Sequence, residues 1–157
     1  MPELMTLRAF PALKIAAALC CMLPALIVPA IADDPTIEPG EWKVTSKTIM
    51  NGAPTPPVQK MRCVSPQEAT DFMKTFGPTM GTVNSTCKPA VFETTARTMK
   101  WRLECRGQLD MDVQGQFEFD TPTHYTAIVA SKAWMAGALV SDVATGIEGE
   151  RVGACQQ

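Results

Sequence analysis

The chain has 157 residues, with 14 basic and 16 acidic side chains and a formal net charge of −2 at pH 7. This mildly acidic balance excludes the basic footprint that nucleic-acid binding requires, and no polybasic run is present to hold the protein on an anionic membrane surface. The length allows one hydrophobic core but not two.

The chain opens as a leader. Arg8 and Lys14 form a basic start, Ile15 to Ala30 is apolar, and Ala30-Ile31-Ala32 precedes Asp33-Asp34. This layout predicts a secretory signal peptide over 1–32, cut after Ala32 at an A-x-A site. The apolar run is broken by Pro24 and Pro29, and it falls short of the roughly 20 residues a membrane-spanning helix needs. The expected mature protein is therefore a single domain over 33–157, periplasmic or secreted, with no transmembrane segment after cleavage. Of six cysteines, Cys20 and Cys21 leave with the leader, and Leu19 before Cys20 does not suit a lipidation site. The remaining four, Cys63, Cys87, Cys105 and Cys155, form no C-x₂₋₄-C pair of the kind zinc sites use. In an exported small domain an even set reads as two disulfides.

Asp33 to Gly40 reads as a lead-in loop with Pro35 and Pro39. Trp42, Val44, Ser46 and Thr48 alternate with Lys43, Thr45 and Lys47, a strand pattern up to Met50. Asn51-Gly52 is a turn, and Pro54, Pro56 and Pro57 make an extended link, since proline cannot feed a sheet ladder. Val58 to Val64 can return as a second strand. Ser65-Pro66-Gln67-Glu68 then carries a capping serine, a proline at the first helical position and a glutamate that reaches back, and so starts a helix. Ala69, Phe72, Met73 and Phe76 give this predicted helix, Pro66–Phe76, one apolar face, and Gly77-Pro78 ends it.

From Cys87 onward the pattern is β. Met99, Trp101, Leu103 and Cys105 alternate with charged residues, and so do Leu109, Met111, Val113, Gly115, Phe117 and Phe119. Thr123 to Ser131 and Ala138 to Glu148 are further strands. A turn centred at Gly107 sets Leu103 against Met111 and Arg102 against Asp112. One centred at Thr121 sets Phe117 against Tyr125 and Glu118 against His124. Both keep the apolar faces together. A turn near Ala96 sets Cys87 opposite Cys105 and Val91 opposite Trp101 but turns Glu93 inward, and a half-step shift repairs Glu93 at the expense of the cysteines. Four cysteines allow three pairings. The hairpin favours Cys87 with Cys105, which leaves Cys63 with Cys155.

Several landmarks resemble the bacterial exported family labelled domain of unknown function 3617. They are Glu38-Pro39-Gly40-Glu41-Trp42, Cys63-Val64-Ser65-Pro66, Cys87, the Trp101 strand ending in Cys105, and Arg151-Val152-Gly153-Ala154-Cys155. The resemblance covers nearly the whole expected mature chain and is weakest in Val140 to Ile147. It implies export, a β-rich fold and paired cysteines, and carries over no catalytic residue.

Signals for chemistry are sparse. The single histidine, His124, stands beside a turn and reads as a solvated residue; no His-rich metal site can be built from it. Asp110 with Asp112 and Glu148 with Glu150 share strand faces and could do acid–base work only if their environments pushed their pKa values apart. Asn84-Ser85-Thr86 reads as a polar loop, and no glycine-rich phosphate loop is present. The methionines, Met99 and Met111 among them, read as core filler rather than as a soft-metal site. Trp134-Met135-Ala136-Gly137-Ala138-Leu139 is an apolar stretch between polar strands, with Trp134, Met135 and Leu139 as candidate ligand or partner contacts.

The expected fold is mainly β, an antiparallel curled sheet or small open barrel of six to eight strands with one short helix, stapled by disulfides. The expected function is non-catalytic binding of an envelope partner or a small apolar ligand, without a cofactor. The alternatives are an envelope hydrolase using the sheet carboxylates, or metal or redox handling through methionine and cysteine.

Overall fold

The computed structural model describes residues 35–79 and 85–156. The predicted leader, its cut after Ala32, Met80 and Asn84 lie outside the described residues. Among the described residues the strands are β1 (Gly40–Met50), β2 (Ala53–Pro54), β3 (Val58–Val64), β4 (Ser85–Cys87), β5 (Val91–Thr94), β6 (Thr98–Gly107), β7 (Leu109–Thr121), β8 (His124–Met135) and β9 (Ala138–Gly153). All pair antiparallel in one sheet that does not close. Its spine runs β1-β9-β8-β7-β6; β2 and β3 share the free side of β1, and β4 and β5 share the free side of β6. These nine strands exceed the six to eight expected, because both edges are broken into short pieces by proline-containing links.

Side chains alternate between two faces, and directly paired residues share a face. The inner face carries Trp42, Tyr125, Phe117, Phe119, Met99 and Trp101, all buried. Helices α1 (Pro66–Thr70) and α2 (Phe72–Phe76) cover them. Phe76 meets the rings of Phe117, Phe119 and Tyr125 at 5.2–5.3 Å, and Phe72 meets Phe119 edge-on at 5.1 Å. Such offset and edge-on pairs add about 0.5–1.5 kcal/mol each beyond the area they bury.

The single predicted helix is two. The chain breaks at Asp71 (φ −109°, ψ 76°), whose side chain accepts from Lys74 N–H and restarts the helix as α2. Ala69, Phe72 and Phe76 are buried, while Met73, expected on the same face, is 59% exposed.

Two predicted registers are each off by two residues. Leu103 faces Val113, Cys105 faces Met111 and Arg102 faces Gln114. Phe117 faces Ala127, Phe119 faces Tyr125 and Glu118 faces Thr126, because the β7–β8 turn takes in a bulge between Phe119 and Thr121. A two-residue shift changes partners without changing faces, so the core survives the correction. The Cys87 ambiguity resolves differently. Cys87 does face Cys105, yet past Pro89 the register moves by one residue, so Phe92 faces Trp101 and Glu93 faces Lys100 on the outside. Disulfides join Cys87 to Cys105 and Cys63 to Cys155, with Cα–Cα distances of 3.9 and 5.4 Å.

Candidate functional site

Two glycines shape the inner face. A Cβ on Gly115 would run into the Trp101 indole, and one on Gly149 into the Tyr125 ring. Each aromatic lies flat across its neighbouring strand for that reason. Trp101 then donates from Nε1 to the Phe76 carbonyl at 2.8 Å, a buried bond that ties the end of α2 to β6.

Between the end of α2, the sheet and strand β3 lies a groove of about 590 Å³. Its floor is Val44, Ile147, Val129, Val113 and Phe117; one wall is Phe76, Gly77 and Pro78; the opposite rim is Lys60 and Arg62. The volume lies within the roughly 300–1,000 Å³ of small-molecule sites, and an apolar lining with few polar groups is their usual character. A second hollow of about 420 Å³ lies on the outer face among Glu93, Lys100, Arg102, Gln114 and Gln116. Val91, Ile128 and Ala130 also line it, so polar and apolar side chains are mixed there.

The cationic rim depends on a register change. The Asn51-Gly52 turn pairs Ile49 with Pro54, and continuing that register would set Met61 against Trp42. One extra residue enters before β3, so Arg62 faces Trp42 and Lys60 faces Val44. Both cations are thereby turned to the inner face. Arg62 donates to the Glu68 carboxylate at 3.3 Å and to the Thr75 carbonyl at 3.4 Å, which holds β3 to the helices. The Tyr125 ring is buried, burial pushes its phenol pKa up, and the nearby Arg62 opposes that rise.

The sequence-predicted contacts lie elsewhere. Met135 and Leu139 are exposed and Trp134 half-buried at the β8–β9 hairpin tip, and none of the three lines the inner-face groove. The tip lies at the same sheet end as exposed Ile49 and Met50, since Met50 pairs with Val143 while Trp134 pairs with Leu139. The two carboxylate pairs are not brought together. Glu148 shares a row with Thr126 and Glu118, and Asp112 stands six positions along β7 from Glu118, about 20 Å at the rise of a strand. Asp112 is held by Arg106 at 2.8 Å and Glu150 by Lys43 at 2.6 Å, so both are ion-paired on the outer face. The four cysteines are all paired, which leaves no free thiol among them.

His124 is more engaged than a solvated turn residue. Nδ1 lies 2.7 Å from the Asp120 carboxylate and Nε2 3.4 Å from Glu148. The bond to Asp120 raises the imidazole pKa above its ordinary value, and the same bond lowers that of Asp120.

Sequence reasoning did not single out Lys60, Arg62 or Tyr125. The usable signal is the Lys60-Met61-Arg62 spacing, which puts two cations on one face of any strand they form.

Residues 37–155 match the model of a family described as protein of unknown function (DUF3617). No curated protein and no solved structure matches the chain.

Proposed function

We propose that this chain, which belongs to the DUF3617 family of proteins of unknown function, is an exported binding protein that holds a small apolar ligand in the inner-face groove. The observation that carries this reading is a groove of about 590 Å³ floored by Val44, Ile147, Val129 and Phe117. Apolar surface left open to water costs roughly 25 cal/mol per Å², and a guest recovers that cost. Export is supported by the leader pattern over 1–32 and by two disulfides, which persist in oxidising compartments. The domain that binds is then 33–157.

The test uses the full chain expressed with its own leader and recovered from the envelope. An intact mass beginning at Asp33 supports export; uncut protein in the cytoplasm counts against it. Titration with the apolar dye 1-N-phenylnaphthylamine is expected to show saturable binding. Val129→Trp, which fills the groove floor, is expected to weaken it at least about tenfold, or about 1.4 kcal/mol, with the thermal transition retained. Dye binding indifferent to Val129→Trp overturns the groove as the site.

A second reading is favoured by one observation. Ile49, Met50, Met135, Leu139 and Val140 are each about half exposed at one end of the sheet, and contiguous exposed apolar surface marks partner contacts. Loss of an envelope crosslink in a Met135→Ser, Leu139→Ser variant that still binds dye would assign partner binding to this tip.

A further inference from the structure

We propose that the ligand is a single-chain amphiphile with an anionic head, its chain lying along Val44, Ile147 and Val129 and its head held at the mouth by Lys60, Arg62 and the Tyr125 hydroxyl. This rests on the groove reading above and names the chemistry of its guest.

Charge is distributed very unevenly between the two faces. Following the pairing across the sheet, the charged residues that the strands place on the inner face are Lys60, Arg62 and Arg151, all cations. Carboxylates such as Glu104, Asp112, Glu118, Glu148 and Glu150 fall on the outer face. In a chain with more acidic than basic residues, every charge the strands themselves place on the inner face is thus a cation, with Glu68 of α1 beside Arg62 and Glu38 beside Arg151.

The three cations differ in what they already hold. Arg151 donates to the Pro39 carbonyl at 2.9 Å and pairs with Glu38, so it is committed to the chain's own loop. Arg62 shares Glu68 with Ser65, whose backbone N–H is the nearer donor at 2.9 Å. Lys60 has no ion pair or hydrogen bond among the described residues, although it lines the groove beside Arg62. The Tyr125 hydroxyl likewise has no hydrogen-bond partner among the described residues, and its ring lies across Gly149 next to Trp42 and within the field of Arg62. A free ammonium at the rim and the phenol O–H of Tyr125 in the groove lining are donors that a carboxylate or phosphate head can use. The head stays near water, where its desolvation cost is small, while the chain is buried.

The experiment compares three 12-carbon ligands on the full protein: dodecanoate, dodecanol and dodecyltrimethylammonium, measured by displacement of 1-N-phenylnaphthylamine. Dodecanoate is expected to bind about tenfold more tightly than dodecanol, and dodecyltrimethylammonium more weakly than either. Lys60→Glu, a change at an exposed edge-strand position, is expected to weaken dodecanoate binding about tenfold and so abolish its preference over dodecanol. Raised salt should narrow the same gap. Equal binding of dodecanoate and dodecanol, or a preference unmoved by Lys60→Glu, overturns the head-group assignment alone. Failure of all three to displace the dye overturns the groove reading and this inference with it.

Discussion

At the scale of single residues, the site is made by what is missing at two positions as much as by what is present. Gly115 and Gly149 give up side chains so that Trp101 and Tyr125 can lie across them. Trp101 thereby reaches the Phe76 carbonyl, and the Tyr125 ring lies close to Arg62. His124 shows the same dependence on a neighbour brought from afar. Its two nitrogens meet Asp120 on β7 and Glu148 on β9, although the residue itself stands beside a turn. Its raised pKa means that the folded state binds a proton more tightly than the unfolded chain. The resulting stabilisation is fully present below the ordinary imidazole pKa and is lost as pH rises through the folded value. Asp120, with its lowered pKa, contributes above the ordinary carboxylate pKa and loses that contribution as pH falls through its folded value. Urea midpoints measured from pH 4.5 to 8.5 should therefore show wild type exceeding His124→Gln most near pH 5–6, with the gap closing above neutrality. A gap independent of pH would mean that the contact acts through packing rather than charge.

Among the secondary-structure elements, the clearest local code is the start of α1. Ser65 accepts from Glu68 N–H and the Glu68 carboxylate accepts from Ser65 N–H, a closed capping box with Pro66 behind it. That box lowers the Glu68 pKa, with the Ser65 backbone bond the largest cause. Ser65→Ala should lower stability by about 1 kcal/mol, read as a lower urea midpoint at unchanged slope; no change would place the helix start under tertiary control instead. Both strand edges use proline to change register. The link Thr55 to Pro57 adds one residue between β2 and β3, and Pro89 does the same between β4 and β5. A one-residue shift flips every later side chain to the opposite face. In one case it brings Lys60 and Arg62 inward; in the other it keeps Glu93 outside. The helix break at Asp71 restarts the chain as α2, within which Phe72 and Phe76 stand one turn apart on the buried face while Met73, about 100° round from Phe72, is exposed.

Across the whole molecule, an open sheet has two edges to protect. The β2–β3 edge carries Pro54, Pro56, Pro57 and Lys60, and the β4–β5 edge carries Lys88 and Pro89. Prolines, lysines and short strands are the usual defences against edge-to-edge pairing. The disulfides reinforce the same edges. Cys87–Cys105 fixes β4 to β6 within a hairpin of sequence separation 18, whereas Cys63–Cys155 fixes β3 to the segment after β9 across a separation of 92. In the loop-entropy account the longer closure restrains the unfolded chain by about 4.5 kcal/mol and the shorter by about 3 kcal/mol. Cys63→Ala with Cys155→Ala should therefore cost more stability in urea than loss of loop closure alone would cost in Cys87→Ala with Cys105→Ala. The second variant also opens a cavity at buried Cys105, and a Cys105→Ala control under reducing conditions separates the two effects.

Local chemistry written in the sequence determined most of the strands from Trp42 onward, the face each apolar residue of the long strands takes and the start of α1. It did so because alternation, capping and proline geometry act over a few residues. The tertiary structure decided how those pieces register. It moved two hairpin registers by two residues, turned Lys60 and Arg62 inward and set His124 between two carboxylates. It also opened a groove that no segment encodes by itself. β3 has no hydrophobic alternation to choose its face, so only the residue count of the linker before it, measured against β1, could make that choice.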